Sequence, residues 1–331
     1  MRFFVGTYTS LGGPGVCLME AKDGRLESLN TCRVIDNPNY LILSEDRKTL
    51  YASATMGPKG KGAVASFRVD DGRLTPLCIQ PAGGDDVCHV ALSADEDFLY
   101  SANYQSGSVS VFPVHDGYVF PHEQMFRHKG GSGVVADRQE TAHTHQCSFR
   151  PGTQELFVCD LGKDEIFIYT QGEESGLLIH TSSIRVPAGC GPRHILFINE
   201  NRFLLACELS NTVLRYEMHK DEWQLMQTLS TLPEGETAPN TVAAIRRFGD
   251  RVFVSNRGFN SVAEYIIKPG GALALEAIHS IKGDCPRDIL PFTAKDILCA
   301  NQVSGTVEWL SGGSTIAEIS VPGAVCLLAY D

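Results

Sequence analysis

The sequence predicts an all-β fold, a seven-bladed β-propeller with four antiparallel strands per blade, on three observations. A strand–turn–strand unit recurs seven times, the copies are almost evenly spaced, and no long stretch carries helical periodicity. The clearest copy is YSANYQSGSVSVF, Tyr100 to Phe112. Others end at Tyr169 (LFVCDLGKDEIFIY), Tyr216 (LLACELSNTVLRY), Tyr265 (VFVSNRGFNSVAEY) and Leu310 (ILCANQVSGTVEWL). Two copies with longer turns end at Met19 (FFVGTYTSLGGPGVCLM) and Phe67 (LYASATMGPKGKGAVASF). Their end points lie 48, 45, 57, 47, 49 and 45 residues apart, the length of a four-strand blade and too long for a leucine-rich repeat.

The remaining strands of each blade are legible around these hairpins. A shorter apolar strand and a turn precede each one, as in YLILSEDRKTLY, VALSADEDFLY, QCSFRPGTQELFV, ILFINENRFLL, VAAIRRFGDRVFV and DILPFTAKDIL. A fourth strand fits the variable stretch that follows, for example WQLMQTLSTL. The seventh unit is split: its first strand is the C-terminal GAVCLLAYD and its hairpin starts from the N-terminal MRFFVGTYT. Pairing the termini in one blade would close the ring and leave no long open edge. The expected organisation is a single domain over residues 1–331.

Composition narrows the function. The chain has 331 residues, 43% hydrophobic and 20% charged, which suits a packed globular core and not disorder. A net charge of −11 argues against nucleic acid or an anionic membrane as the main partner, because both select basic surface. The N-terminus lacks the apolar run of a signal peptide, and no run approaches the ~18 residues needed to span a bilayer. Eleven cysteines are scattered through strand-like runs such as LFVCD, LLACE and ILCAN, without a CxxC pair. That is the pattern of reduced, buried thiols, so a cytoplasmic protein without a disulfide framework, metal or cofactor is expected.

In a propeller the start of each first strand and the end of each second strand lie on one face, so residues there converge on the mouth of the central channel. His143 and His145 open one first strand, Arg193 and His194 another, Asn240 and Thr241 a third, and Arg287 and Asp288 a fourth. In an extended strand residues i and i+2 share a face, which would put His143 and His145 side by side. The matching turns supply Asn103, Asp160, Glu208, Asn256 with Arg257, and Asn301 with Gln302. Arginine suits carboxylate or phosphate, and histidine and glutamate are the usual proton-transfer groups near neutral pH. An anionic substrate and proton-dependent chemistry follow. The recurring Asn and Asp read instead as turn residues that bond their own backbone, and a structural alternative for Arg193 is an inter-blade pair with Asp160. KGGSG, Lys129 to Gly133, lacks the ending and helix of a phosphate loop. It lies in the longest connection between units, where Arg138 and Gln139 could overhang the mouth; His115, His122 and His128 in that connection carry no readable signal.

The segments GSGVVADRQETAHTHQCSF, DLGKDEIFIY, GPRHILF, ELSNTVLRY and SNRGFNSVAEY, with the N-terminal GTYT, resemble the bacterial 6-phosphogluconolactonase family of seven-bladed propellers, itself related to fungal carboxymuconate cycloisomerases. The resemblance covers all seven units, with the motifs in order, and the first two units depart most from it. It implies a hydrolase that opens a lactone at the channel mouth without an obligatory metal. The substrate it suggests is 6-phospho-D-glucono-1,5-lactone, giving 6-phosphogluconate in the pentose phosphate pathway. Carried over by motif, the catalytic set is His145, Arg193, Glu208 and Arg257; from their placement at the channel mouth, His143, His194, Arg138, Gln302 and Arg287 are the expected substrate-binding residues. The expected partner is a small anionic lactone and the expected state a monomer or weak homo-oligomer. Two alternatives stand beside it: another lactone reaction such as carboxymuconate cycloisomerisation, and a non-enzymatic interaction platform. The WD and GH signatures of interaction propellers are missing.

Overall fold

The computed structural model describes residues 1–57, 59–172 and 175–331. The turn of the hairpin MGPKGK therefore falls partly outside the described residues, at position 58. The chain is all-β apart from a 3-10 turn over Thr9–Leu11, and its strands form seven antiparallel sheets, the seven blades expected from the repeats. It divides into two compact units, residues 30–192 with 330, and residues 1–29 with 193–329 and 331.

The first unit holds three blades. Blade 1 has strands Leu41–Leu43, Thr49–Met56, Lys61–Asp70 and Arg73–Pro81. Blade 2 has Val87–Leu92, Phe98–Asn103 and Ser108–His115, and blade 3 has Thr144–Phe149, Glu155–Asp160, Glu165–Gln171 and Leu178–Arg185. Four strands per blade fails at one place. In blade 2 the fourth strand is broken into Tyr118–Val119 and Gln124–Arg127, which pair with opposite ends of Ser108–His115. Pro121 lies between the two pieces and has no N–H to donate to a ladder.

The second unit holds four blades. Blade 4 comprises Pro192–Asn199, Arg202–Cys207, Thr212–His219 and Glu222–Ser230; blade 5, Thr241–Phe248, Arg251–Arg257, Ser261–Ile267 and Leu273–Ser280; blade 6, Pro286–Pro291, Asp296–Asn301, Thr306–Ser311 and Ser314–Ser320. Blade 7 runs Ala324–Ala329, Arg2–Thr7, Val16–Lys22 and Arg25–Cys32, so the C-terminal strand pairs with the N-terminal one.

Within each unit neighbouring blades pack their middle strands into shared cores. Tyr100, Ala102, Val109 and Val111 of blade 2 meet Leu156, Val158 and Tyr169 of blade 3. Leu204, Ala206 and Val213 of blade 4 meet Val252, Val254 and Tyr265 of blade 5. The tyrosines that mark the repeats are buried with their hydroxyls partnered: Tyr100 donates to the Gly176 carbonyl (2.8 Å) and Tyr265 to that of Ser230 (2.5 Å). Outer strands such as Ser314–Ser320 alternate exposed and half-buried residues, as edge strands facing water should.

Blade 7 generates a test. Phe4 faces Leu328 and Val5 faces Leu327 across the terminal pairing; Leu327 packs with Phe3, Val5 and Trp309, and Asp331 pairs with Arg2 at 2.7 Å. Each buried aliphatic side chain contributes about 1.5–3 kcal/mol, so removing this strand cancels a large part of an ordinary domain's stability of about 5–15 kcal/mol. Deletion of residues 322–331 is expected to give insoluble or unfolded protein. A soluble truncation with an unchanged Tm would contradict this role of the terminal pairing.

Candidate active site

The same turn recurs where second strands end. The residue just past the last hairpin-paired position sends its backbone N–H back to a carbonyl that precedes the first strand of its own blade. Tyr8 donates to Gly323 (2.8 Å), Tyr104 to Asp86 (2.8 Å), Leu161 to His143 (2.9 Å) and Gln302 to Cys285 (2.9 Å). This latch fixes the strand entry against the turn. The Asn or Asp one residue earlier is buried, and it bonds other segments: the three Asn reach side chains across their hairpins, and Asp160 holds the His143 N–H and His128. Asn103 Nδ2 reaches the Ser108 and Ser110 hydroxyls, Asn256 Nδ2 the Thr231 carbonyl and Ser261, and Asn301 Nδ2 Thr306 and Glu308. The structural reading of these residues stands, with the mechanism corrected. Glu208 is not their counterpart. Cys207 pairs with Thr212 as Asn256 does with Ser261, so Glu208 shares its position with Tyr8, Tyr104, Leu161, Arg257 and Gln302.

First strands carry a second recurring feature, a β-bulge near their start. In blade 3 Thr144 pairs with Asp160 and Gln146 with Cys159, leaving His145 as the extra residue. In blade 6 Pro286 pairs with Asn301 and Asp288 with Ala300, leaving Arg287. Bulges re-aim side chains out of simple alternation. The i, i+2 argument for His143 and His145 therefore fails at the bulge, although both rings do meet one partner, as described below.

In the second unit the side chains build a charged centre. Glu208 Oε2 lies 2.8 Å from both Arg193 Nε and Arg257 Nη2. Arg193 also donates Nη1 to the Ala243 carbonyl (2.8 Å) and sits 3.3 Å from both ring nitrogens of His194. Arg257 Nη2 reaches the Val242 carbonyl at 3.1 Å. Glu208 and Arg193 belong to blade 4, Arg257 and the two carbonyls to blade 5, so the cluster ties adjacent blades. Arg193 pairs with Glu208, not Asp160. The side chains of Arg193 and Glu208 are 3% and 5% exposed and that of Arg257 is 14%, so Arg257 is the member open to a ligand. Its Nε is buried without a hydrogen-bond partner among the described residues, and an orphaned buried donor is costly unless something else satisfies it.

Arg287 stands in the same unit. Its guanidinium lies 5.4 Å from the centre of the Tyr8 ring, and its Nη1 donates to Gln302 Oε1 at 3.2 Å. Arg193, Arg257 and Arg287 all act on the thiol of Cys285. Burial pushes that thiol up, the three guanidiniums oppose the rise, and Asp284 adds to it. Three positive groups thus converge on one region of an acidic chain. Asp288, next in sequence, does different work: it is buried, pairs with Arg246 at 2.9 Å and accepts the Leu327 N–H, tying blades 5, 6 and 7. Asn240 is likewise structural, bonded to Asn211, Asn256 and the Phe259 N–H.

The first unit holds the histidines. His143 stacks on Tyr104 at 4.5 Å, its Nδ1 donates to the Tyr104 carbonyl (3.1 Å), and its Nε2 faces Glu140 (3.3 Å) and Thr141 (3.5 Å). His145 meets the same ring edge-on at 5.6 Å and is buried. His143 is thus anchored through both ring nitrogens. Asp160, wholly buried, accepts the His143 N–H on Oδ1 (2.8 Å) and lies 2.5 Å from His128 Nδ1 on Oδ2; His128 Nε2 is 2.7 Å from the Tyr169 hydroxyl. His128 had no sequence signal because its partners, Asp160, Phe167 and Tyr169, come from two separate strands more than thirty residues away. Arg138 Nη2 approaches the Tyr104 hydroxyl at 3.4 Å. Gln139 does not overhang anything: it is fully buried, and its amide donates to the Leu161 carbonyl and to Asp164, pinning the long connection.

Tyr8, Tyr104 and Cys285 were missed as site neighbours. The two tyrosines could have been found from their equivalence to Glu208 and Arg257, one residue past each hairpin pair; Cys285 had no such signal.

The chain matches the family described as "Lactonase, 7-bladed beta-propeller" over residues 2–326. It is 31% identical to the 6-phosphogluconolactonase of Bacillus subtilis, over 98% of this chain and 97% of that protein. The structure superposes on a periplasmic gluconolactonase of Pseudomonas aeruginosa with a TM-score of 0.91 at 28% identity, covering 100% and 99% of the two chains. It superposes on a protein from Lactobacillus plantarum with a TM-score of 0.89 at 27% identity, covering 99% and 98%. With seven antiparallel sheets, a shared terminal blade and a match that runs almost from end to end, the chain belongs to the lactonase family of seven-bladed β-propellers.

Proposed function

We propose that the chain hydrolyses a phosphorylated aldonolactone, 6-phospho-D-glucono-1,5-lactone, to the open acid. The observation that carries this reading is the buried Glu208 carboxylate shared by Arg193 and Arg257, with the Arg257 Nε oriented but unbonded among the described residues. Two guanidiniums against one carboxylate leave net positive charge in a chain of net charge −11, which favours an anionic substrate. The B. subtilis relative is named a 6-phosphogluconolactonase, which supports the same substrate.

In the proposed reaction water attacks the lactone carbonyl, the carbonyl oxygen becomes an oxyanion, and the bond from that carbon to the ring oxygen breaks. The proton leaving the water passes through a base and returns to the ring oxygen as it becomes a hydroxyl. A guanidinium suits the oxyanion because it is already ionised and already held, so it need not reorganise as charge develops. Arg257 is the group for that role, since it is the more exposed of the two and binds Glu208 and the Val242 carbonyl through Nη2, with its Nε unbonded among the described residues, whereas Arg193 uses Nε for Glu208 and Nη1 for the Ala243 carbonyl. Glu208 Oε2 already accepts from two guanidiniums, which makes Glu208 the organiser of the arginines. None of the eleven cysteines is in a disulfide, and we propose a reducing, cytoplasmic setting.

The test is the hydrolysis rate of freshly generated 6-phosphogluconolactone, corrected for spontaneous opening, beside unphosphorylated gluconolactone and γ-lactones. Arg257→Ala is expected to lower turnover about 10²–10³-fold with the fold intact. Glu208→Gln should lose both activity and stability, the latter approaching the roughly 3–5 kcal/mol seen when a buried ion pair loses one partner. His145→Ala should impair turnover far more than His143→Ala impairs it. Near wild-type rates in all four variants would sink the lactonase assignment of these residues and favour an interaction platform.

Extended treatment with a chelator is expected to leave the rate unchanged. Loss of activity that a single divalent ion restores would contradict the metal-free reaction.

A further inference from the structure

We propose that Asn240 is a positioning residue for the reaction: its amide holds the turn that carries Glu208 and the turn that carries Arg257 at one spacing, and so sets the geometry of the charged centre. The inference rests on the lactonase reading and deepens it. Asn240 is half-buried and immediately precedes the first strand of blade 5. Its Nδ2 donates to Asn211 Oδ1 (2.9 Å), in the blade 4 turn that begins at Glu208, and to Asn256 Oδ1 (3.2 Å), the neighbour of Arg257. Its Oδ1 accepts the Phe259 N–H (3.1 Å), in the turn just past Arg257. Both amide hydrogens and the oxygen are thus spent on the two turns, and none goes to a charged side chain.

The orientation of these amides is forced, because a carbonyl only accepts and a backbone N–H only donates. Asn256 Nδ2 donates to the Thr231 carbonyl (2.9 Å), which turns its Oδ1 toward Asn240, and the Phe259 N–H requires the Asn240 oxygen on its side. The backbone that follows continues the bridge. The Val242 N–H donates to the Glu208 carbonyl (3.2 Å), the Val242 carbonyl accepts from Arg257 Nη2 (3.1 Å), and the Ala243 carbonyl accepts from Arg193 Nη1 (2.8 Å). Residues 240–243 thus bond to all three members of the cluster. Gly258, next to Arg257, is pressed onto the same entry: its φ is +113°, and a Cβ there would fall 2.3 Å from the Pro239 carbonyl oxygen. A shift of the Asn240 amide therefore reaches both turns, and a displacement of about 1 Å in a supporting group can cost about 10²-fold in rate. Asn211 gives access to the same link from its other end. It is left-handed (φ 57°), and the equivalent positions of blades 2 and 6 hold Gly107 (φ 53°) and Gly305 (φ 64°), each accepting on its carbonyl, as Asn211 does, an N–H from the connection after the outer strand. Asn211→Gly therefore keeps the turn unstrained and removes only the acceptor of Asn240 Nδ2.

The experiment measures kcat and KM for 6-phosphogluconolactone in the wild type, Asn240→Ala and Asn211→Gly, and in each change combined with Arg257→Ala. In parallel, heteronuclear NMR follows the Arg257 Nε–Hε cross-peak, identified by its loss in Arg257→Ala. In Asn240→Ala kcat should fall roughly 10- to 100-fold with KM little changed, and in Asn211→Gly it should fall by less. On the Arg257→Ala background the same changes should cost almost nothing further, because the group they position is gone. The Arg257 cross-peak should shift or broaden in both variants. A wild-type kcat in folded Asn240→Ala overturns the proposal, and so do losses that simply multiply with that of Arg257→Ala, the result expected of a residue that only supports the fold. Should Asn240→Ala fail to fold, Asn211→Gly decides by the same readouts. If the wild type accelerates no lactone, the lactonase reading fails, and the cross-peak still decides the role of Asn240: unmoved in the variants it overturns the positioning, and moved it upholds it.

Discussion

One carboxylate oxygen sets the geometry of the candidate site. Glu208 Oε2 accepts from Arg193 and Arg257 at equal distances, inside a setting where all three side chains are largely withdrawn from water. Two guanidiniums alone at that spot would repel each other and face a heavy desolvation cost. With the carboxylate between them they hold still, both reach backbone carbonyls of blade 5, and the Arg257 edge is the more exposed. The same interaction joins blades 4 and 5, so site and scaffold share it: the arrangement cannot be loosened for chemistry without loosening the packing.

The scaffold supplies two repeated devices that make such a cluster possible. The turn latch, an N–H from just past the second strand to a carbonyl before the first, fixes this position in four blades, at Tyr8, Tyr104, Leu161 and Gln302, and Glu208 and Arg257 stand at the corresponding turns of blades 4 and 5. The bulge at the start of a first strand turns a residue such as His145 or Arg287 out of register with its neighbours. Repetition gives stability to the position and freedom to its occupant, which fits the rule that function is grafted on a fold and not dictated by it. Buried Asp160, Asp288 and Glu308 do the complementary work, each collecting several donors and holding a strand entry or a hairpin in place.

Much of this was legible in the sequence. Strand alternation and the even spacing of hairpins follow from local chemistry, so the seven blades and the shared terminal blade could be read directly. Arg193, Glu208 and Arg257 were identifiable because strand entries and turns are predictable places. What escaped depended on registers one residue wide. Nothing local distinguishes Glu208 from the buried Asn or Asp of the other turns, since the difference is which residue pairs across the hairpin. The bulge at His145 is equally silent, and so is the His128–Asp160–Tyr169 network, whose members meet only after two strands and a loop have assembled. The broken fourth strand of blade 2 lay in the least periodic stretch of the chain.

The central claim is that Glu208 and Arg257 act as a unit. A double-mutant cycle on kcat/KM for the phosphorylated lactone, with Glu208→Gln, Arg257→Ala and the pair combined, tests it most directly. The account predicts strong non-additivity, with a coupling energy toward the upper part of the ~0.5–3 kcal/mol range of contacting residues, because either single change already disables the shared arrangement. Effects that add within about 0.5 kcal/mol would show the two residues working independently and contradict it.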